Sequence, residues 1–131
     1  MIVVDTNVIS YLYLTGERSA QAEQALRQDP QWAAPSLWRS EFCNVLASYV
    51  RRQTLSLEEA QRIIDEATNL IWSWEVVSAQ VLSLAAKSAC SAYDCEFVAL
   101  AQDLNVPLVT VDKQVLGQFP DVAVSLQEYV S

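Results

Sequence analysis

The sequence predicts an α/β fold with a largely parallel sheet. Short apolar runs bounded by turn residues recur along the chain, and the segments between them carry apolar residues at helical spacing. Strand-like and helix-like segments alternate, the pattern of a sheet whose strands are joined by crossover helices. With 131 residues, 52% hydrophobic and 18% charged, the chain has the size and composition of one domain with its own core. No repeat, low-complexity tract or linker divides it, so residues 1–131 are expected to form a single domain.

The first strand is predicted over Ile2–Val4, followed directly by a helix that turns Val8, Ile9 and Leu12 inward. Ser19 to Gln28 is predicted as the next helix, with Ala22, Ala25 and Leu26 on its inner face, and Trp32–Ala34 as the second strand. Ser36 follows Pro35 and is placed to N-cap a longer helix running to about Arg52. Leu57 to Leu70 presents Ala60, Ile63, Ile64 and Ala67 at helical spacing. The third strand is predicted over Trp74–Val77, with helices over Ser78–Ala89 and Tyr93–Leu104 after it. Leu108–Val111 and Val122–Val124 complete the strands, with a short helix around Gln114–Leu116 between them.

Composition excludes several kinds of chemistry. The chain has no histidine, which rules out imidazole-based acid–base or nucleophilic catalysis and argues against an ordinary zinc site. Its three cysteines form no CxxC pair and no even set, so buried, reduced thiols are expected. No apolar run approaches the ~20 residues of a membrane span. Met1 leads into the first strand without a basic leader, so a cytoplasmic location is expected. The net charge of −8 disfavours phosphate binding through lysine and arginine, and suits a basic partner at least as well as an anionic substrate. Bound divalent cations would reverse that sign locally.

Asp5, Glu41, Asp94 and Asp112 stand where the pattern calls for an apolar residue or a quiet turn. Each has an ordinary explanation. Asp5 ends the first apolar run and could cap the next helix; Asp112 ends the run Leu108–Val111 and could cap the short helix after it. Glu41 lies beside the stripe of Leu37 and Val45, where an arginine could pair with it. Asp94 is the fourth residue of a possible capping box begun by Ser91, and also heads the inward face formed with Phe97, Val98 and Ala101. All four acting together only as caps and surface charges would be a coincidence. In parallel sheets ligands bind beyond the strand carboxyl ends, so Asp5 and Asp112 face one crevice if their strands are neighbours. Hard oxygen donors without nitrogen or sulfur select Mg²⁺ or Mn²⁺. Thr6, Asn7 and Thr110 add oxygen-bearing side chains at the same strand ends, and Lys113 beside them reads as a surface lysine.

In order and spacing, the segments IVVDTNVIS, SLWRSEFCNVL and SAYDCEFVALAQDLNVPLVTVDK resemble the PIN-domain ribonucleases, especially the VapC-type toxins of toxin–antitoxin pairs. The resemblance implies a three-layer α/β/α sandwich on a mostly parallel five-stranded sheet, with an acidic pocket at the strand carboxyl ends. It implies Mg²⁺- or Mn²⁺-dependent endonucleolytic cleavage of RNA by metal-activated water. Asp5, Glu41, Asp94 and Asp112 match the family's acidic positions, and Thr6, Asn7, Ser91 and Thr110 its polar supporting positions. It implies that Asp5, Asp94 and Asp112 hold the metal, with Glu41 ligating directly or through water.

A small antitoxin lying along an apolar groove, and a homodimer, are the partners the resemblance implies. Tyr11, Leu12, Tyr13, Leu14, Trp38 and Trp72 are candidates for those surfaces, with ordinary core packing as the alternative. Arg39, Arg51 and Arg52 are candidates to follow an RNA backbone, although charge at a helix C-terminus explains the last two equally well. Two other readings stand beside the toxin: a free-standing PIN nuclease in RNA processing, and a catalytically idle binding module with an acidic pocket.

Overall fold

The apolar runs become five strands in the computed structural model, which describes residues 1–131. These are β1 (Ile2–Val4), β2 (Trp32–Pro35), β3 (Trp72–Trp74), β4 (Leu108–Thr110) and β5 (Ala123–Ser125). They form one sheet in the order β3-β2-β1-β4-β5, with every neighbouring pair parallel. Eight helices complete the chain: α1 (Thr6–Tyr13), α2 (Ser19–Gln28), α3 (Leu37–Arg51), α4 (Leu57–Leu70), α5 (Ser78–Ala86), α6 (Ala92–Leu104), α7 (Lys113–Gln118) and α8 (Leu126–Val130).

Successive strand side chains point to opposite faces, yet every residue of β1, β2 and β4 is buried. Both faces of the central sheet are therefore covered, as continuous apolar runs in parallel strands require. The architecture is a three-layer α/β/α sandwich. On one side α6 lies against β1, β2 and β4, with α5 packed on it; α1, α2, α3, α4 and α8 form a second packed group. All the buried apolar residues except Ala22 form one continuous cluster. No helix is long and apolar enough to cross a membrane.

Strand order positions the site. The chain proceeds from β1 outward through β2 to β3, then returns to place β4 on the other side of β1. The switch in direction leaves a crevice at the carboxyl ends of β1 and β4, where the residues after each strand meet. The Asp5 amide donates to the Val109 carbonyl at 3.0 Å, carrying the ladder one residue beyond β1.

Several sequence expectations need correction. The third strand covers Trp72–Trp74 rather than Trp74–Val77, in register with Ala33, Ala34 and Pro35. It is an edge strand exposed at every position, so it lacks the buried pattern that would mark its ends. The fifth strand starts at Ala123, and Ser125 ends it by accepting from the Glu128 amide at 3.1 Å to cap α8. That five-residue helix, too short to show a period, has no counterpart among the expected elements.

The helix after β3 ends at Ala86, short of Ala89, where the Ser88 hydroxyl donates to the Leu84 carbonyl and accepts from the Cys90 amide. Ser36 does not cap α3 with its side chain; its hydroxyl donates to Glu75 Oε1 at 2.7 Å, tying the start of α3 to the end of β3. Cys90 and Cys95 are buried and free as expected, whereas Cys43 is exposed. Trp38 (1% exposed) and Leu14 (8%) belong to the core and are unavailable to a partner, while Trp72 is 52% exposed. Tyr11, Leu12 and Tyr13 are half-buried against the core.

Candidate active site

The loops and helix starts at the β1/β4 crevice bring the four carboxylates together. Asp5, Glu41, Asp94 and Asp112 all line one open pocket of ≈ 470 Å³. Asp5 caps α1: its Oδ1 accepts from the Thr6 amide at 2.7 Å. Asp112 caps α7, its Oδ1 accepting from the amides of Gln114 (2.8 Å) and Val115 (3.2 Å). Asp94 sits in the first turn of α6, where the Ser91 hydroxyl accepts from its amide at 3.1 Å. Glu41 comes from the middle of α3. Capping and pocket lining are therefore compatible for both strand-end aspartates, because a cap needs only one carboxylate oxygen.

Three threonine and asparagine side chains orient these acids. The Thr6 hydroxyl donates to Glu41 Oε1 at 2.7 Å, so one residue links Asp5 through its amide and Glu41 through its side chain. Thr110, fully buried, donates to Asp5 Oδ2 at 2.8 Å and accepts from the Asp112 amide at 3.1 Å. Asn7 Nδ2 lies 3.4 Å from Thr110 Oγ1 and 3.5 Å from Asp5 Oδ2, while its Oδ1 is buried without a partner. Ser91 supports the Asp94 backbone from the start of α6 and does not line the pocket.

No lysine or arginine compensates this charge. The one ion pair in the protein joins the N-terminal amine to Asp29, so the arginine partner that could have explained Glu41 is absent. Burial lifts the Asp5 carboxyl from the usual carboxylate range to about 6, with Asp94 and Glu41 adding to the rise against hydrogen bonds from Thr110 and Thr6. Glu41 is raised by burial and by Asp94, and Asp94 by burial and by Asp112. The acids thus destabilise one another's charge.

Ser10, Tyr11, Asn44 and Val45 also line the pocket, although the sequence did not single them out for it. A signal was present: Ser10 is one helical turn after Thr6, and Asn44 and Val45 one turn after Glu41. Arg39, Arg51 and Arg52 lie outside the pocket. Arg51 instead lines an apolar groove of ≈ 290 Å³ between α3 and α4, together with Leu46, Val50, Leu57 and Ile64.

Residues 2–123 match the PIN domain family. A ribonuclease VapC3 from Pyrobaculum aerophilum is 36% identical over 124 residues, covering 91% of this chain and 95% of the relative. The chain belongs to the PIN-domain family. Solved structures agree in fold. One from Pyrobaculum aerophilum superposes on this PIN domain with a TM-score of 0.81 at 18% identity, covering 98% of this chain and 91% of that one. A toxin–antitoxin complex from Klebsiella pneumoniae gives 0.73 at 21% identity, covering 96% and 98%.

The donor set of this PIN domain fits a hard divalent cation. All of its ligand candidates are oxygens, and the orphaned Asn7 Oδ1 is a further buried acceptor beside them. No three acidic or cysteine side chains lie close enough together to hold a metal ion by themselves, so a bound cation would have to complete its shell with water or substrate oxygens. An open arrangement suits Mg²⁺, which takes one or two carboxylates and keeps several waters.

Thr110→Val tests the support of the site. Keeping the shape but losing the hydroxyl strands the Asp112 amide and removes a donor from Asp5, an expected cost of about 1–3 kcal/mol. Thr110→Ser should recover most of it. Chemical denaturation reads the difference, and a valine variant as stable as the unmodified protein would show that the hydroxyl does not hold the two strand ends.

Proposed function

We propose that this protein is a divalent-cation-dependent endoribonuclease and the toxin of a type II toxin–antitoxin pair. The observation that carries this reading is the gathering of four carboxylates around one pocket with no basic side chain paired to any of them. Asp5, Asp94 and Asp112 would hold Mg²⁺ or Mn²⁺, with Glu41 ligating directly or through water. When bound, the cation supplies the charge that acidifies water and offsets the negative charge building on a phosphate.

The chain's own contribution is placement. Both oxygens of Asp5 accept from protein donors, so its orientation is set before any ligand arrives. Asp112 commits Oδ1 to the α7 amides and leaves Oδ2 for the pocket. Glu41 is held through Oε1 alone, and its raised affinity for protons suits Oε2 to accept one from the attacking water. The water oxygen bonds to phosphorus as the bond to the 3′ oxygen breaks, and the departing oxygen takes a proton from solvent, leaving 5′-phosphate and 3′-hydroxyl ends.

The ribonuclease relative and the toxin–antitoxin neighbour support RNA as substrate and an antitoxin as partner. A basic antitoxin segment would suit a chain of net charge −8. The apolar groove between α3 and α4, and the exposed Trp72, are surfaces such a partner or a second copy would cover.

Incubating the purified protein with varied RNAs in Mg²⁺, Mn²⁺ or chelator tests the proposal. Cleavage is expected with either ion and none in chelator. Persistence in chelator would overturn metal dependence. Failure of antitoxin-free protein to cleave any RNA would favour the idle binding module.

A further inference from the structure

We propose that single-stranded RNA runs out of the acidic pocket along a cleft walled by Tyr11 and Tyr49, with Arg18 and Arg52 holding its phosphates. This inference rests on the nuclease reading above and assigns the substrate's path. A cleft of ≈ 380 Å³ shares Ser10 and Tyr11 with the acidic pocket and continues past Tyr49 to Arg18. Beyond Arg18 a further cleft of ≈ 390 Å³ turns back to Lys113, the residue after Asp112. The clefts thus lead away from the carboxylates and return beside them.

Their cations are placed unusually for so acidic a chain. Neither arginine pairs with a carboxylate. Instead the Arg18 guanidinium lies 5.5 Å from the centre of the Tyr11 ring and donates to the Tyr11 hydroxyl at 3.1 Å. The Arg52 guanidinium lies 4.7 Å from the centre of the Tyr49 ring, with Nε donating to the Ser48 carbonyl at 3.4 Å. Both guanidiniums are exposed, so the stacks contribute little to the fold. Each fixes a planar donor array with unused N–H groups next to an aromatic ring.

That pairing of phosphate donors with flat stacking surfaces suits a single strand, whose bases are free to stack on tyrosine or guanidinium planes. A duplex keeps its bases paired inside and offers these rings nothing. Glu17 is the one acid lining the two clefts, against Arg18 and Lys113 in the same linings and Arg52, which lies outside them over the ring of Tyr49. A basic protein arm drawn to the carboxylates would be repelled here, whereas a polyanion would not.

The test measures binding of a labelled single-stranded oligoribonucleotide by fluorescence anisotropy, in Mg²⁺ and in an Asp94→Asn background that slows turnover. Tyr11→Leu and Tyr49→Leu should each weaken binding about tenfold without changing its salt dependence. Arg18→Gln and Arg52→Gln should weaken it and lower the slope of log affinity against log salt by about 0.7 each. Lys87→Gln, on the exposed end of α5, should change nothing. Because the tyrosines are half-buried, Tyr49→Phe, which keeps the ring, serves as a second variant that should bind as the background does, while Tyr11→Phe also loses the hydroxyl that accepts from Arg18 and should fall between the background and Tyr11→Leu.

RNA cleavage by the otherwise unmodified enzyme is measured in parallel. Active enzyme with undiminished binding in all four variants overturns the strand path and leaves the nuclease reading standing. Equal affinity for duplex and single strand overturns it as well. Loss of an antitoxin peptide with RNA binding retained would assign the cleft to the protein partner and overturn it. Absence of both cleavage and binding overturns the nuclease reading together with the path.

Discussion

An Asp94→Asn variant is expected to cleave RNA about 10²–10³-fold more slowly than the unmodified protein, yet to unfold in chelator at the same or a higher temperature. The two effects have one cause. Asp94 lines a pocket whose charges repel one another, and its carboxyl is raised by burial and by Asp112. Neutralising it would remove one of the proposed cation ligands while relieving that repulsion. The substitution leaves the α6 cap intact, because Ser91 bonds the Asp94 amide and not only its side chain. Steady-state cleavage and thermal unfolding together read the prediction. Retained turnover would remove Asp94 from the machinery, and a lower unfolding temperature would show that its charge supports the fold.

Stability should also rise as pH falls from 7 to 5 when divalent cations are absent. Asp5 titrates near pH 6 in the folded chain, against about 3.9 for an unperturbed aspartate. The folded state therefore binds the extra proton. Its contribution is fully present below about pH 4 and is lost as pH rises through 6. Two pH units of displacement correspond to on the order of 3 kcal/mol, large beside the stability of a small domain. Asp29 and Glu59, whose carboxyls are held low by the N-terminal amine and by Ser56, act in the opposite direction, but only below the ordinary carboxylate range.

Mg²⁺ added at pH 7.5 should raise the unfolding temperature, and this gain should fade at pH 5 as protons compete for the same oxygens. Differential scanning fluorimetry across pH, with and without the cation, makes both measurements. Unfolding temperatures in chelator that decline between pH 7 and 5 would refute the assignment of a strained, cation-seeking Asp5.

The parts of the site that were legible in the sequence were those where charge broke a pattern. Asp5 and Asp112 end apolar runs, and strand direction alone places such residues at the carboxyl edge of a parallel sheet. Their meeting depended on β1 and β4 being neighbours, which the local sequence leaves open and the strand order supplies. Glu41 could be read to a helix flank but not to its partner, since its tie to Thr6 spans elements far apart in sequence.

Other features left no local signal. β3 is exposed on both faces, so neither alternation nor a buried run marks where it begins. Trp38 and Trp72 look alike in sequence, yet one fills the core and the other faces solvent, a difference set by tertiary packing. The stacks of Arg18 on Tyr11 and Arg52 on Tyr49 join residues seven and three positions apart, but loop and helix-end geometry decides whether the planes meet.

The caps on α1 and α7 bear on how related sequences should be read. Asp5 and Asp112 each begin a helix, so a descendant that had lost all activity would still be selected to keep them. Their persistence in a relative testifies to folding as much as to chemistry. Glu41 begins nothing and sits in mid-helix, held by a single hydroxyl. With Asp94, whose neutralisation relieves repulsion and leaves the α6 cap in place, it is a position at which a retired enzyme would first betray itself.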